Sequence, residues 1–499
     1  MTDPDVEGQL RTPVPPEPVR KGDRTAWHSF AWAGLSFGST KLAVFVSTLI
    51  LARLLVPEDF GVVAAAMTVI ALFEIGLDLG VGSALIHDQE KGITPRVQTA
   101  FTLNVGVAVL LTGAFVAAAP LVALWFRVPD QVDVFRAVAF YLLIRSLGQV
   151  HDAVLRRDLD FRRRTRAEIA RALTRLVVSV ALALAGMGVW ALVWGLLAAE
   201  VAGTVVNWLL VPFRPRFTVD RTAVPTLLSF GLAMVAVQAV SVISSNADYL
   251  AIGRLLGPED LGQYTMAYRL PELLIDNIYW IFSSIALPLY SRARAEGTAE
   301  SFKDSMLRAL TLLTFFGFPM GTALALVARD AVPVLFSEQW LPAVVPMVLL
   351  ALAAGVNAIG FASGDIFPAL GRPGLLLRLD IVFATVETVA FFLIASRGIT
   401  AVAWIHLVSG VVYMACRMVV ANRLVGSSFA ECGRAMLPAV WVSLGTAALA
   451  APVLVLMEPG IASLAAVIAA GAAGGALGAL LGARSTVADL LQIVTSRVR

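Results

Sequence analysis

Long apolar runs alternate with short polar segments along almost the whole chain. A helix that crosses a bilayer takes roughly 20 predominantly apolar residues, and about fourteen runs of that length can be counted. Their approximate ranges are 28–51, 61–86, 100–119, 135–154, 170–187, 189–211, 227–250, 262–287, 307–328, 341–363, 375–395, 399–421, 436–456 and 460–482. The pattern therefore predicts an all-helical integral membrane protein with about fourteen transmembrane helices.

A nine-residue stretch occurs twice and divides these runs into two sets. Residues 53–61 read RLLVPEDFG, and residues 254–262, 201 positions later, read RLLGPEDLG. Each copy ends one apolar run and begins the next, so the repeated unit is a hairpin of two helices. The repeat predicts two six-helix lobes of the same orientation, related by an axis along the membrane normal. Within each copy, proline followed by two acidic residues is typical of the first turn of a helix.

The repeat and the apolar runs together predict the domain boundaries. Residues 1–24 are polar, contain five prolines and lack an apolar core, so we expect a disordered tail rather than a signal peptide. The expected units after this tail are an N-terminal lobe over 25–211, a linker over 212–226, a C-terminal lobe over 227–425, and two additional helices with a tail over 426–499.

Lysine and arginine fall mainly in the loops on one side of the predicted helices. The loop 155–166 alone contains six arginines, whereas the loops on the opposite side are short and carry few basic residues. The positive-inside rule then predicts that both termini are cytoplasmic. A composition of 58% hydrophobic and 15% charged residues, with a mean hydropathy of +0.81, excludes a soluble globular protein. Cys416 and Cys432 are too few to indicate a disulfide framework.

Charged residues also occur inside the apolar runs, mostly in the first hairpin of each lobe. They are Lys41 in the first run, Glu74 and Asp78 in the second, Arg145 in the fourth, Asp248 in the seventh, and Arg269, Glu272 and Asp276 in the eighth. A charge that faces lipid at mid-helix costs about 2.5–3.5 kcal/mol. Most of these groups must therefore face water, a partner charge or a substrate. One interpretation is pairing that fixes helix packing, of Lys41 with Glu74 or of Arg269 with Glu272. The other is a polar path between the lobes, as in alternating-access transporters.

Several familiar chemical signatures are missing or have a simpler interpretation. No GxxxxGK[ST] stretch occurs, and the glycines between 471 and 482 lie in an apolar run, which favours helix packing over a dinucleotide loop. Asp158 and Asp160 resemble the metal-binding pair of a nucleotide-sugar transferase, but the surrounding arginines favour a segment at the lipid headgroups. The four histidines, His28, His87, His151 and His406, form no ligand spacing. No metal, cofactor or nucleic-acid partner is expected.

The sequence resembles the polysaccharide-export flippases, which translocate lipid-linked oligosaccharides, within the superfamily that includes multidrug extruders and lipid II flippases. The resemblance runs from the first apolar run to about residue 425. It rests on LLVPEDFG (54–61), EIGLDLGVGSALI (74–86), LRRDLDFRRR (155–164), LLGPEDLG (255–262), PLYSR (288–292) and ALGRP (369–373).

The resemblance implies a non-enzymatic transporter in a bacterial plasma membrane. Its substrate would be a polyprenyl-pyrophosphate-linked oligosaccharide for surface polysaccharide or lipopolysaccharide synthesis, and its partners membrane lipids, a polysaccharide polymerase and glycosyltransferases. Lys41, Arg145 and Arg269 would be the cations of its cavity. The five acidic residues inside the runs would couple transport to protons or sodium, or contact sugar hydroxyls. The alternatives are a multidrug/cation antiporter of the same superfamily and an integral-membrane glycosyltransferase or polymerase.

Overall fold

Helices form almost the entire described structure. The structure, a computed structural model, describes residues 41, 43–77, 93–158, 160–211, 214–219, 224–276, 279, 299–364, 366–484 and 486–488, and these residues contain no β-strand. The tail over 1–24 lies outside these ranges, as do Asp78 and part of the linker. The all-helical prediction is confirmed for the described part of the chain.

A helix overlaps each predicted run. The helices are α1 (Ala43–Leu54), α2 (Pro57–Leu77), α3 (Ile93–Trp125), α4 (Val132–Arg157), α5 (Phe161–Leu184), α6 (Val189–Leu210), α7 (Val224–Leu255), α8 (Pro258–Pro271), α9 (Ala299–Ala331), α10 (Val344–Gly364), α11 (Pro373–Ile394), α12 (Ile399–Val425), α13 (Phe429–Leu456) and α14 (Ile461–Gly482). Among the described residues, nine helical segments are long and apolar enough to span a membrane. The count of fourteen transmembrane helices stays a prediction.

The two copies of the repeat begin helices, as predicted. Pro57 is the first residue of α2 and Pro258 the first residue of α8, and each is followed by a glutamate and an aspartate in the first turn. The Asp59 carboxylate accepts a hydrogen bond from the backbone N–H of Val56 at 3.3 Å. Negative charge at this end of a helix is stabilised by the helix dipole and by the unpaired backbone N–H groups.

Neighbouring helices pair within each predicted lobe. In the N-terminal lobe α3 packs on α4, α5 on α6 and α4 on α6, while in the C-terminal lobe α10 packs on α8, α9 and α12. The additional helices α13 and α14 pack on each other and on α9. A Cβ atom added to Gly445 would lie 2.2 Å from the Gly474 carbonyl oxygen. The glycine-rich run of α14 therefore permits close helix packing, as the sequence predicts.

Contacts between the two lobes run mainly along α2, which packs on α8 and α7. These are the second, seventh and eighth predicted helices, so the repeated hairpins lie at the centre of the molecule. The α8 helix changes to a π-helical turn at Glu272–Asp276, directly after Pro271. A proline removes one backbone hydrogen bond from a helix, and π-turns are frequent at functional sites. We use "repeat face" for the end of the molecule that carries residues 53–61 and 254–262, and "arginine-rich face" for the opposite end.

Candidate functional site

A central cavity of about 280 Å³ lies between the two lobes. Its lining comes from α1, α2, α5 and α6 of the N-terminal lobe and from α7 and α8 of the C-terminal lobe. Arg175 of α5 and Arg269 of α8 are the charged side chains in the described lining, and the remaining polar groups include Asn246, Tyr249 and Thr265. The volume is near the lower end of the range for small-molecule pockets, which suits a compact anionic group.

The two arginines of the central cavity come from opposite lobes. Both line the same space, so their guanidinium groups repel each other electrostatically. A Glu272 oxygen lies 3.3 Å from Arg269 Nη1, but the Glu272 side chain is half exposed and the interaction is weakened by solvent. Guanidinium groups bind phosphate oxygens through planar, paired hydrogen bonds. The cavity therefore presents a site for an anion that contacts both lobes at once.

A second cluster of charges joins four helices of the N-terminal lobe. Arg145 of α4 places Nε 2.8 Å from Glu74 of α2 and Nη1 3.8 Å from Glu200 of α6. The other Glu200 oxygen lies 3.4 Å from Nε of Arg171 on α5. Gly203, one helical turn after Glu200, leaves space for Arg171, because an added Cβ would lie 2.3 Å from Arg171 Nε. Arg145 is thus half-exposed and paired with two carboxylates, and it is not part of the described lining of the central cavity.

The C-terminal lobe contains a separate cavity of about 420 Å³, which we call the carboxylate cavity. It is lined by residues of α7, α8, α10, α11 and α12, including Asp380, Glu387 and His406. Glu387 accepts a hydrogen bond from Ser409 Oγ at 2.6 Å, and Asp380 accepts one from the Tyr413 hydroxyl. Five helices of one lobe therefore converge on a polar space within the membrane.

His406 bridges two carboxylates at this cavity. Its Nε2 lies 3.0 Å from Oδ2 of the buried Asp248, and its Nδ1 lies 3.5 Å from Glu387 Oε1. The same Asp248 oxygen accepts a hydrogen bond from the Tyr264 hydroxyl at 2.9 Å. A neutral imidazole donates from only one nitrogen, so its other nitrogen would face a carboxylate oxygen lone pair to lone pair. A doubly protonated ring would instead donate toward both carboxylates.

The structure separates the eight charged residues that the sequence singles out. Arg269 lines the central cavity, while Lys41 is helical and lies one turn before Val44, which also lines it. Arg145 and Glu74 form an ion pair with each other, and Asp248 belongs to the histidine bridge of the C-terminal lobe.

The remaining three of the eight residues are Glu272, Asp276 and Asp78. Glu272 pairs with Arg269, which is one of the two packing pairs that the sequence left open. Asp276 is the last residue of the π-helical turn. Asp78 lies outside the described residues.

Sequence reasoning missed four groups that now define the sites. Arg175 and Glu200 lie within predicted helices. Glu200 is an isolated charge in an apolar stretch, whereas Arg175 follows Arg171 by four residues, close to the arginine-rich loop. Glu387 follows Asp380 at a spacing of seven, which places both on one face of α11. His406 was set aside because the histidines are far apart in sequence. Its partners are carboxylates 158 and 19 positions away, which a search for metal-ligand spacing does not detect.

Known proteins share this fold. The lipid II flippase MurJ in an inward closed conformation superposes with a TM-score of 0.74 at 11% identity, covering 90% of this chain and 98% of that chain. An inward-facing multidrug resistance transporter of the MATE family superposes with a TM-score of 0.64 at 16% identity, covering 78% and 96%. At these identities the likeness establishes the fold alone.

Curated relatives also match this chain in amino-acid sequence. ExoT of Rhizobium meliloti, a succinoglycan biosynthesis transport protein, is 26% identical over 391 residues, which is 78% of each chain. TuaB of Bacillus subtilis, a teichuronic acid biosynthesis protein, is 24% identical and covers 68% of this chain and 70% of its own. WzxC of Escherichia coli, a lipopolysaccharide biosynthesis protein, is 22% identical and covers 67% and 68%.

The family is established by a match that covers more than half of the chain. Residues 50–345 match the family described as polysaccharide biosynthesis protein. This range begins in α1, continues through the N-terminal lobe and ends at the start of α10. It therefore contains both copies of the repeat and both cations of the central cavity. The chain is a multi-pass membrane protein that belongs to the family of polysaccharide biosynthesis proteins.

Proposed function

We propose that the protein is a flippase that moves a lipid-pyrophosphate-linked oligosaccharide across the plasma membrane of a bacterium by alternating access. The single observation that carries this proposal is the pair Arg175 and Arg269, which line one cavity from opposite lobes. A pyrophosphate group bound there would neutralise their mutual repulsion and would contact both lobes. Family membership supports the same substrate class, since relatives are named for succinoglycan transport and lipopolysaccharide biosynthesis.

The orientation follows from the distribution of basic loops. We place the arginine-rich face in the cytoplasm, because Lys and Arg are enriched in cytoplasmic loops. Both termini are then cytoplasmic. The pyrophosphate group would enter from the cytoplasmic leaflet and leave at the repeat face. The lipid tail remains in the bilayer throughout, so the protein needs to shield only the pyrophosphate and sugar portions of the substrate from the hydrocarbon. No bond is made or broken in this process.

A reconstituted system tests the proposed function directly. Purified protein in phospholipid vesicles is expected to accelerate the transbilayer movement of a polyprenyl-pyrophosphate-linked disaccharide, measured by its accessibility to a membrane-impermeant glycosidase. The matched control is a polyprenyl-linked disaccharide without phosphate, which lacks the charge that the arginines bind. Vesicles that instead export a lipophilic cationic dye, and leave the pyrophosphate lipid in place, would overturn the proposal in favour of the antiporter.

The carboxylate cavity is our proposed coupling site. His406 lies between Asp248 and Glu387, with its ring nitrogens 3.0 and 3.5 Å from their carboxylate oxygens, so both carboxylates would stabilise a proton bound to the ring. His406 is a suitable carrier because histidine changes charge near physiological pH. Loss of that proton would leave Asp248 and Glu387 without a cation between them, and the resulting repulsion would separate α7 from α11 and α12. The sequence left protons and sodium as alternatives, and this geometry favours protons.

We predict that His406→Gln removes the response of transport to a pH gradient. Glutamine keeps a polar side chain but cannot carry the proton, so flipping under an imposed gradient is expected to fall to the rate seen without one. The measurement is the initial flipping rate in vesicles with and without a pH step, at constant sodium. Ser241→Ala changes another residue of the same lining and is expected to keep the response. A variant that still responds to pH, or a parent that responds only to sodium, would refute proton coupling at this site.

A further inference from the structure

The repeated RLLxPEDxG stretches contact each other across the boundary between the lobes. A Cβ atom added to Gly61 would lie 1.7 Å from the Pro258 carbonyl oxygen, and one added to Gly262 would lie 1.8 Å from the Pro57 carbonyl oxygen. The proline of each copy therefore touches the glycine of the other. Only a residue without a side chain permits two helices to approach this closely.

The arginine of each copy also reaches into the opposite lobe. Arg53 donates a hydrogen bond from Nε to the carbonyl of Leu335 at 3.1 Å, and its Nη2 contacts the carbonyl of Val334. Both carbonyls lie in the π-helical turn Val332–Phe336, which continues the end of α9. Arg254 donates to the carbonyl of Trp125, the last residue of α3, at 3.4 Å. The third helix of each lobe thus ends on an arginine from the other lobe. Cations are stabilised at such helix ends because the last carbonyl groups lack partners within the helix.

A third matched contact places an aromatic residue against the turn before each arginine. Trp340 donates from Nε1 to the carbonyl of Ala52 at 2.8 Å, and its ring lies 5.3 Å from that of Phe60. Phe126 packs on Gly253, where an added Cβ would lie 2.4 Å from the ring. Ala52 and Gly253 occupy the same position relative to the two repeats. The contacts therefore follow an approximate two-fold symmetry.

These contacts lie directly at one end of the central cavity. Leu51 and Phe60 line that cavity, and they are the immediate neighbours of Ala52 and Gly61. We infer that the duplicated stretches form a two-fold latch that closes the cavity at the repeat face and must separate for substrate to leave there. This inference rests on the alternating-access function and orientation proposed above. It also explains the duplication, since a two-fold latch needs arginine, proline and glycine in both halves.

The latch is tested by measuring access to the cavity from outside the cell. A parent protein with Cys416 and Cys432 replaced by serine receives one reporter, Ser47→Cys, on the cavity wall. An impermeant thiol reagent is then added to intact cells and the labelling rate is measured. In the double variant Arg53→Gln/Arg254→Gln the rate is expected to rise by about two- to fivefold for each lost contact with a helix end. Arg136→Gln is the matched control, because Arg136 pairs with Asp133 of its own helix at 3.1 Å.

A second substitution addresses the glycine contact. Gly61→Ala is expected to raise labelling, since the lobes must move apart to admit the new methyl group. Gly113→Ala on α3 is its control, because nothing lies within 4 Å of the added Cβ. Equal labelling of both latch variants and their parent, at equal membrane abundance, would overturn the latch. Labelling requires no substrate, so this result is independent of whether the flipping assay succeeds. If Gly61→Ala lowers abundance, the exposed arginines decide the question.

Discussion

Replacing Arg175 and Arg269 together with alanine is expected to lower the rate of lipid-linked oligosaccharide flipping by about 100-fold or more, because a hydrogen bond to a charged group contributes roughly 1.5–3 kcal/mol. Each arginine supplies the cation of one lobe, so a single substitution leaves the pyrophosphate bound to one lobe only. We expect the flipping rate of each single variant to fall by about tenfold. The free-energy loss in the double variant is expected to differ from the sum of the two single losses, because both groups bind one anion. The measurement is the initial rate in reconstituted vesicles, with accumulation of lipid-linked precursor in the cytoplasmic leaflet as the cellular counterpart.

Two comparisons separate charge from the shape of the cavity. Thr265→Ala alters the same lining without removing a charge, and we expect it to retain most of the activity. Arg175→Lys/Arg269→Lys keeps the charges but loses the paired geometry of the guanidinium group, so an intermediate rate is expected. The proposal fails if the alanine double variant reaches the membrane in normal amount and flips at a rate close to that of the parent.

The fold follows largely from local pattern. Runs of apolar residues long enough to cross a bilayer leave few alternatives to helices, because backbone polar groups must be satisfied internally in lipid. The starts of α2 and α8 could be predicted from Pro57 and Pro258, since the preference of proline and acidic residues for a helix start is a local property. The packing role of the glycines in α14 is local in the same sense.

The partners of the charged residues could not be predicted in this way. Glu74 and Arg145 are 71 positions apart in sequence, and their ion pair depends on which side of α4 faces α2. The neighbours of a helix are fixed only when the lobe assembles, and they cannot be read from the sequence. The sequence therefore predicted Arg145 as a cavity cation and missed its ion pair. The sequence did not single out Arg175, because it lies close to the arginine-rich loop. It comes four residues after Arg171 and therefore lies on the same face of α5.

The repeat contains residues of both kinds: those whose role is local and those whose role depends on a distant partner. The roles of Pro57, Glu58 and Asp59 at a helix start are visible in nine residues of sequence. The role of Arg53 depends on the end of α9, about 280 positions away. The duplication itself could have predicted the contact between the two copies, because equivalent residues in two related lobes can meet near the axis that relates them. Repetition at a lobe boundary is thus evidence for contact between the copies as well as for their shared ancestry.

Replacing Glu200 with alanine is expected to destabilise the protein by about 3–5 kcal/mol, the usual penalty for removing one partner of a buried ion pair. The Glu200 side chain is only 8% exposed and lies between Arg145 and Arg171, at 3.8 and 3.4 Å. Without it, two guanidinium groups remain close together inside the membrane-spanning region with less compensating charge. We expect a marked fall in apparent melting temperature in detergent and in abundance in the membrane.

Glu168 provides the matched control for this prediction. Its carboxylate also pairs with Arg171, at 3.0 Å, but its side chain is 42% exposed. Glu168→Ala is therefore expected to cost about 1 kcal/mol or less, as for other solvent-exposed pairs. The double variant Glu200→Leu/Arg171→Leu should recover much of the stability lost in Glu200→Ala, because an apolar pair can replace a buried ion pair at little cost. If the losses in the single variants Glu200→Leu and Arg171→Leu instead add up in the double variant, the two groups are not coupled, and the stabilising role of this ion pair is refuted.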